Sequence, residues 1–463
     1  MREKEITAEL ADFIERTFIS AIPDDVVKNA KLLIADFLGV TVAGSGEESA
    51  RMIQRLVEEQ GLHGNATIMG TAIKSHATWA SLANGIAGHA LDYDDVSQPM
   101  YGHPTVPVLP AVLALGESLH INGVRLIESY IIGVEVTVKL SHGMNPAHYK
   151  RGWHSTCTLG TLGSAAAAAK LLGLKGGRLR SALAMAASQA CGLQQNFGTM
   201  TKPFHAGRAA ENGVLSALLS ERGWTGNQNI LEAPLGFFDL FCGPGNYDAQ
   251  RCIDNLGTPY DIEYPGIILK KYPSCAFSHP AVDAAMAIAS DPHYDRAAVD
   301  RVEGCIHELA DQILIHRNPH TGLEAKFSLE ACVALALVDG KVNIQSFTDE
   351  KILSKPVREM MTRIERKVVP SSVQGPVEFG PAFVKVFLKN EKVMESIIEK
   401  AKGNPENPLT REEVREKYRD CCSQVLPESS LDKSLSLVDD LEKLSDVSEL
   451  MACFSLPPAK RHA

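Results

Sequence analysis

The sequence predicts an α plus α+β protein: a large all-helical domain with a smaller α+β lid domain inserted near its C-terminal end. Three observations predict it. Residues up to about 255 read as helix after helix. From near Tyr260, short segments rich in branched and aromatic residues appear between helices. After Gly403-Asn404-Pro405, which reads as a linker, helical periodicity returns. The boundaries expected are 1–260 with 404–463 for the discontinuous helical domain and 261–403 for the lid. At 463 residues the chain is too long for one ordinary core. A cleft between two such bodies is the default place for a binding site.

Each element follows from local pattern. Val26, Ala30, Leu33, Ile34, Phe37 and Leu38 recur at helical spacing behind an Asp24 cap, with Gly39 near the expected end. Ala80 to Ala90 is a run of small residues suited to a tightly packed helix. Val108 to Leu115, Ile127 to Leu140, Thr161 to Leu172, Leu179 to Cys191 and Phe204 to Arg222 repeat the helical theme. Alanine and glycine on their apolar faces imply close helix–helix approach. In the lid, Ile267 to Leu269, Val302 to Ile306, Ile364 to Val369 and Phe383 to Leu388 read as strands, with helices at Pro280 to Ser290 and Leu323 to Val338. Beyond the linker, Thr410 and Glu413 form a capping box, and Leu431 to Leu444 is amphipathic.

Composition narrows the function classes. A formal net charge of -10 and the lack of any long basic run argue against nucleic acid or anionic membrane as partners. A small anionic substrate stays open, because a local Lys/Arg/His cluster makes a positive pocket on an acidic protein. The ten cysteines include no C-x-x-C pair, so neither a zinc site nor a disulfide framework is expected. The M-R-E-K-E start lacks the features of a transit peptide or secretion signal, and no stretch is long and apolar enough to span a membrane. The expectation is a cytoplasmic, reduced protein.

Four constellations carry the titratable groups. Gly88 to Pro107 sets His89 and His103 around Asp92, Asp94 and Asp95. His89 and Asp92, three apart, are expected on one helix face; a buried structural His–Asp bond reads equally well for His89. His103 precedes a proline-led helix whose free N–H groups attract carboxylates. His154 opens an alanine-rich helix, where an anion meets the positive end of the helix dipole. Lys202 starts another helix, with His205, Arg208 and Asn212 on one face; a structural salt bridge is the alternative for Arg208. Lys270 to Pro280, which contains Cys275 and His279, lies at the expected domain junction and can reach across the cleft. There is no G-x-x-x-x-G-K, G-x-G-x-x-G, G-x-S-x-G or H-E-x-x-H; His307-Glu308 lacks the second histidine. What remains is proton chemistry by His, Lys and Asp, without a cofactor and without a metal.

The segments L-A-N-G-I-A-G-H-A-L-D-Y-D-D, G-H-P-T-V-P-V-L-P-A, G-T-L-G-S-A-A-A-A-A-K, T-K-P-F-H-A-G-R-A-A, K-Y-P-S-C and G-N-P-E-N-P-L-T together resemble the MmgE/PrpD family over nearly the whole chain. The resemblance implies a helical domain with an α+β lid, a homodimer, and metal-free chemistry on small polycarboxylates. Members include 2-methylcitrate dehydratase, cis-aconitate decarboxylase and iminodisuccinate epimerase. Carried over by position, the family pocket falls on Asp92, His103, His154, Lys202 and Lys270. This chain departs from the animal decarboxylase branch at Val96, where that branch has threonine, and at Cys275, where it has histidine. The branch's lid tyrosine should fall near Gln312 to Ile315, and no tyrosine lies between Tyr294 and Tyr418.

The roles expected are catalytic for His103, Asp92, His154 and Lys202, with His103 the proton-transfer group oriented by Asp92. Lys270, Cys275, Arg208 and His279 are expected to bind substrate, with the Cys275 pKa lowered by Lys270 if that thiol acts as a second acid/base. The first reading is a lyase dehydrating a 2-methylcitrate-like hydroxy acid. Alternatives are a dicarboxylate epimerase, a cis-aconitate decarboxylase, and a catalytically silent carboxylate-binding protein.

Overall fold

A computed structural model describes residues 5–369 and 382–457. The first four residues of the N-terminal segment read above for targeting signals lie outside them. Most of the described chain is helical, with one small mixed sheet. The main helices are α1 Asp24–Gly44, α2 Ala77–Ala90, α3 Thr105–Leu119, α4 Gly123–Met144, α5 Ser155–Leu171, α6 Gly176–Gln189, α7 Thr201–Glu221, α8 His279–Ala289, α9 Leu329–Asp339, α10 Arg411–Cys422 and α11 Glu428–Asp439. Among the described residues, no helix is long and apolar enough to cross a membrane.

Small residues set the helix spacing, as their pattern predicts. Where α2 crosses α7, a Cβ on Gly85 would stand 2.5 Å from Gly207 Cα, and one on Gly207 would stand 2.3 Å from the Leu82 carbonyl oxygen. Backbones therefore touch there, which only paired glycines permit. That crossing brings His89, late in α2, and Lys202, at the start of α7, to the same end of the helix pair. Two expectations for α1 need correction. The helix begins at Asp24 itself after Pro23, with no side-chain cap. It also runs through Gly39, whose missing side chain makes room for α10: a Cβ there would stand 3.1 Å from the Tyr418 ring. The capping box of Thr410 and Glu413 opens α10 as expected.

Six strands are present among the described residues. β1 His63–Thr67 and β2 Lys74–Ser75 form a small hairpin that the polar sequence did not announce. β3 Val299–His307, β4 Ile364–Val369, β5 Ala382–Leu388 and β6 Val393–Ile398 form a sheet in the order β4-β3-β5-β6. β3 pairs in parallel with β4 and antiparallel with β5, which pairs antiparallel with β6. Ala382, Val384, Val386 and Leu388 of β5 alternate into the interior, where α8 covers that sheet and α9 packs on α8. The strand expected at Ile267 to Leu269 is absent: only Ile268 bridges, to Val96, because the chain turns away at Lys270 to reach Asp92.

Buried apolar residues fall into two large cores. One joins Ile6 through Leu269 with Leu409 through Phe454. The other runs from Tyr272 to Met394 and takes in Tyr149 and Phe197 from the helical part. The candidate site lies on the seam between them.

Candidate active site

A cavity of about 390 Å³ opens on that seam. Its polar lining is Asp92, His103, His154, Lys202, Lys270 and Cys275, together with Tyr101 and Tyr149. Val96, Phe197, Phe277, Ile313 and Phe327 supply apolar wall. Six of the eight expected site residues thus meet in one cavity. Arg208 does not: its guanidinium pairs with Glu211 at 2.7 Å on the outer face of α7 and is 40% exposed. His279 does not line it either, since its ring packs edge-on against Tyr272 and lies 3.2 Å from the Ser274 carbonyl. Both follow from helix geometry: residues directed away from the seam cannot reach it, however basic they are.

Asp92 is the knot of the site. α2 ends at Ala90, and Asp92 follows with φ 50°, a left-handed turn that Asp tolerates better than most residues. This turn takes Asp92 off the face of α2, so the expected His89–Asp92 pairing does not form. Instead the Asp92 Oδ1 accepts from Lys202 Nζ at 2.7 Å and lies 3.1 Å from Lys270 Nζ. Lys270 Nζ also donates to the Asp92 backbone oxygen at 2.8 Å. Burial alone would raise the Asp92 carboxyl, but the two ammonium groups outweigh it and hold the pKa well below the carboxylate range.

Asp94, two residues on, is the member that the sequence left without a role. Its carboxylate accepts from His89 Nδ1 at 2.9 Å and lies 3.0 Å from His103 Nδ1, the second contact bent away from ideal alignment. Lys202 Nζ donates to His89 Nε2 at 2.7 Å, so the His89 proton sits on Nδ1. His103 has a carboxylate near each ring nitrogen: Nδ1 lies 3.0 Å from Asp94 Oδ2 and Nε2 lies 3.6 Å from Asp92 Oδ1. Asp94 is the nearer of the two carboxylates to the His103 ring. Desolvation lowers the His103 pKa, with Lys202 and Lys270 adding to it against the pull of Asp94. The imidazole is held neutral.

Backbone bonds fix these groups in place. The His103 N–H donates to Thr156 Oγ1 at 3.1 Å, tying it to the first turn of α5. The first N–H of α3 is taken by protein, since Thr105 N–H donates to Asp95 at 3.3 Å. His154 caps α5 and faces His205, with Nδ1 atoms 3.1 Å apart; burial drives its pKa well below the ordinary value, helped by Lys202 and His205. Cys275 is corrected in sign: burial and Asp92 push its thiol up to about 12, with Lys270 only partly opposing them. A thiol in that state lines the cavity but does not exchange protons near neutrality.

His89, Asp92, Asp94 and His103 present possible ligand atoms within 4.8 Å of one another. A divalent cation fits this set poorly, because Lys202 and Lys270 already place ammonium groups on Asp92 and His89. A larger cavity of about 1050 Å³ lies behind Lys326, but Glu47, Glu48 and Asp349 line it and disfavour an anion.

The MmgE/PrpD N-terminal domain matches residues 8–250, and the MmgE/PrpD C-terminal domain matches residues 272–443. The cis-aconitate decarboxylase of Mus musculus is 28% identical over 475 residues, covering 100% of this chain and 96% of that protein. The Homo sapiens enzyme of the same name is 28% identical over 468 residues, covering 99% and 96%. That of Aspergillus terreus is 26% identical over 480 residues, covering 98% and 96%.

Proposed function

The chain belongs to the MmgE/PrpD family, and on that premise we propose that it is a lyase dehydrating a small hydroxy di- or tricarboxylate of the 2-methylcitrate type. One observation carries this reading: the His103 imidazole, its pKa lowered by burial, stands beside two ammonium groups gathered on Asp92. Elimination needs that pairing of base and acid.

In the proposed step, the substrate carboxylates lie against Lys202, Lys270 and His154. His103 Nε2 takes the proton from the carbon beside a carboxylate, and the C–H electron pair becomes the double bond. Negative charge grows on that carboxylate and is stabilised by the ammonium groups in a cavity with an aromatic wall. The hydroxyl leaves with a proton from the lysine pair, as water. His103 returns its proton to solvent after product release, and the lysine regains one.

Decarboxylation is the second reading, favoured by the names of the relatives and by the apolar wall, which destabilises a leaving carboxylate. It requires a proton donor at carbon, a role that falls to the lysine pair when His103 is neutral. The departures noted in the sequence bear on the same point: Val96 and Cys275 line the cavity, as does Ile313 from the Gln312 to Ile315 stretch that lacks a tyrosine. Incubating the protein with citrate, 2-methylcitrate, cis-aconitate and iminodisuccinate in deuterated water separates the readings. Loss of water supports dehydration, and release of carbon dioxide replaces it with decarboxylation. Deuterium exchange without net loss replaces it with epimerisation, and no reaction with any acid removes it.

A further inference from the structure

Two cysteines outside the cavity form a pair. Cys157, in the first turn of α5, is buried, and its Sγ lies 3.8 Å from that of Cys191, which is exposed just beyond α6. Sulfurs at that separation touch, and closing the gap to a disulfide of about 2.0 Å draws the Cys191 segment toward α5. The two thiols are not equivalent. A hydrogen bond that either thiol can donate joins the two sulfurs; it and the Arg208 guanidinium lower Cys191, while the same bond and burial push Cys157 up. Cys191 thus has the attributes of a reactive thiol, namely thiolate character and access to solvent. Arg208, which does not reach the cavity, finds its electrostatic consequence here.

We propose that Cys157 and Cys191 are a peroxide-responsive dithiol whose closure into a disulfide displaces His154. The Cys191 thiolate attacks one oxygen of hydrogen peroxide, the O–O bond breaks, hydroxide leaves, and Cys191 becomes a sulfenic acid. The Cys157 sulfur then attacks the Cys191 sulfur. The S–O bond breaks, an S–S bond forms, and the departing oxygen leaves as water with the Cys157 proton. Peroxide is reduced and two thiols are oxidised.

The coupling to the site is short. The His154 N–H donates to the carbonyl of Gly192, next to Cys191, at 3.0 Å, and the Cys157 N–H donates to the His154 carbonyl at 2.9 Å. Gly192 has φ 111°, and a Cβ there would stand 2.9 Å from Cys157 Cβ and 3.4 Å from the His205 ring. Drawing the two sulfurs together therefore shifts the acceptor of the His154 N–H and crowds the ring that faces His154.

The test uses the full chain and needs no substrate. Protein treated with hydrogen peroxide, blocked with N-ethylmaleimide and digested should yield the Cys157 and Cys191 peptides joined, two hydrogens lighter than the free thiols, and separated again by dithiothreitol. Hydrogen exchange at the His154 amide should quicken about tenfold in the oxidised protein. Cys191→Ser, at an exposed position, should abolish both changes. N-ethylmaleimide on both cysteines after peroxide would overturn the pairing. A joined pair with unchanged exchange at His154 would overturn the coupling.

Discussion

Lys270 and Asp92 are joined twice across the seam: Lys270 Nζ lies 2.8 Å from the Asp92 carbonyl oxygen and 3.1 Å from its Oδ1. The two residues are 178 positions apart in sequence. Their union fixes the segment leading into the second core on the turn that ends α2. Because the pair is buried, removing one partner leaves polar atoms without compensation. Lys270→Met should lower stability by about 3 kcal/mol in urea unfolding and abolish binding of tricarballylate, a tricarboxylate that has neither hydroxyl nor double bond to react. A variant with unchanged stability would show that this junction does not hold the two cores together.

Asp94, the nearer carboxylate to the His103 ring, separates turnover from binding. Asp94→Asn keeps the volume but removes the negative charge 3.0 Å from His103 Nδ1. The kcat should fall roughly 10³- to 10⁴-fold with little change in KM. In the parent enzyme, a neutral His103 means that kcat/KM is lost as pH falls, with its acid limb below the ordinary histidine value of 6.5. A rate that instead falls as pH rises through that region would assign His103 as an acid and favour decarboxylation.

Much of the seam was legible before folding, and the reasons are specific. Asp92, His103, His154 and Lys202 sit where helices begin or end, which places side chains at the ends of packed helices, while Lys270 lies in the segment that leads from the Ile268 bridge toward the second core. Asp94 was harder to assign because the three aspartates of D-Y-D-D differ only by turn geometry. The left-handed conformation of Asp92 decides which one faces His103. Phe197, Ile313 and Phe327 come from separate elements, and nothing local marks them as one wall. Arg208 was misplaced because a basic residue one turn from His205 reads as clustered, while it in fact leans toward Glu211.

Acid should weaken the fold in two stages. His89 and His279 have native pKa values lowered by burial to about 3, and His103 and His154 are lowered as well. Below pH 6.5 the unfolded chain binds protons that the native chain refuses, so their share of the stability declines as pH falls from that point. Asp92 and Asp94 are also depressed, so their contribution is full above about 3.8 and is lost below it. Asp36, Asp95 and Glu135, whose carboxyls burial raises, act in the opposite sense over the same interval. The histidine share is therefore read by difference: His279→Asn should fall less in urea midpoint from pH 6.5 to pH 4 than the parent protein, and an equal fall would mean that His279 is not held neutral in the native state.

The glycine crossing of α2 and α7 can be tested by volume alone. Gly207→Ala places a methyl group 2.3 Å from the Leu82 carbonyl oxygen, which forces the helices apart. A cost of about 1–3 kcal/mol is expected. Because His89 and Lys202 ride on the two helices, tricarballylate binding should weaken in parallel. Destabilisation without weakened binding would show that Lys202 is positioned by other contacts.

The most direct test is a crystal structure of the protein with tricarballylate bound. Its carboxylates should lie about 3 Å from Lys202 Nζ and Lys270 Nζ, with a carbon-bound hydrogen facing His103 Nε2. Density for the ligand in the larger cavity behind Lys326, with the Lys202–Lys270 cavity left empty, would contradict the account.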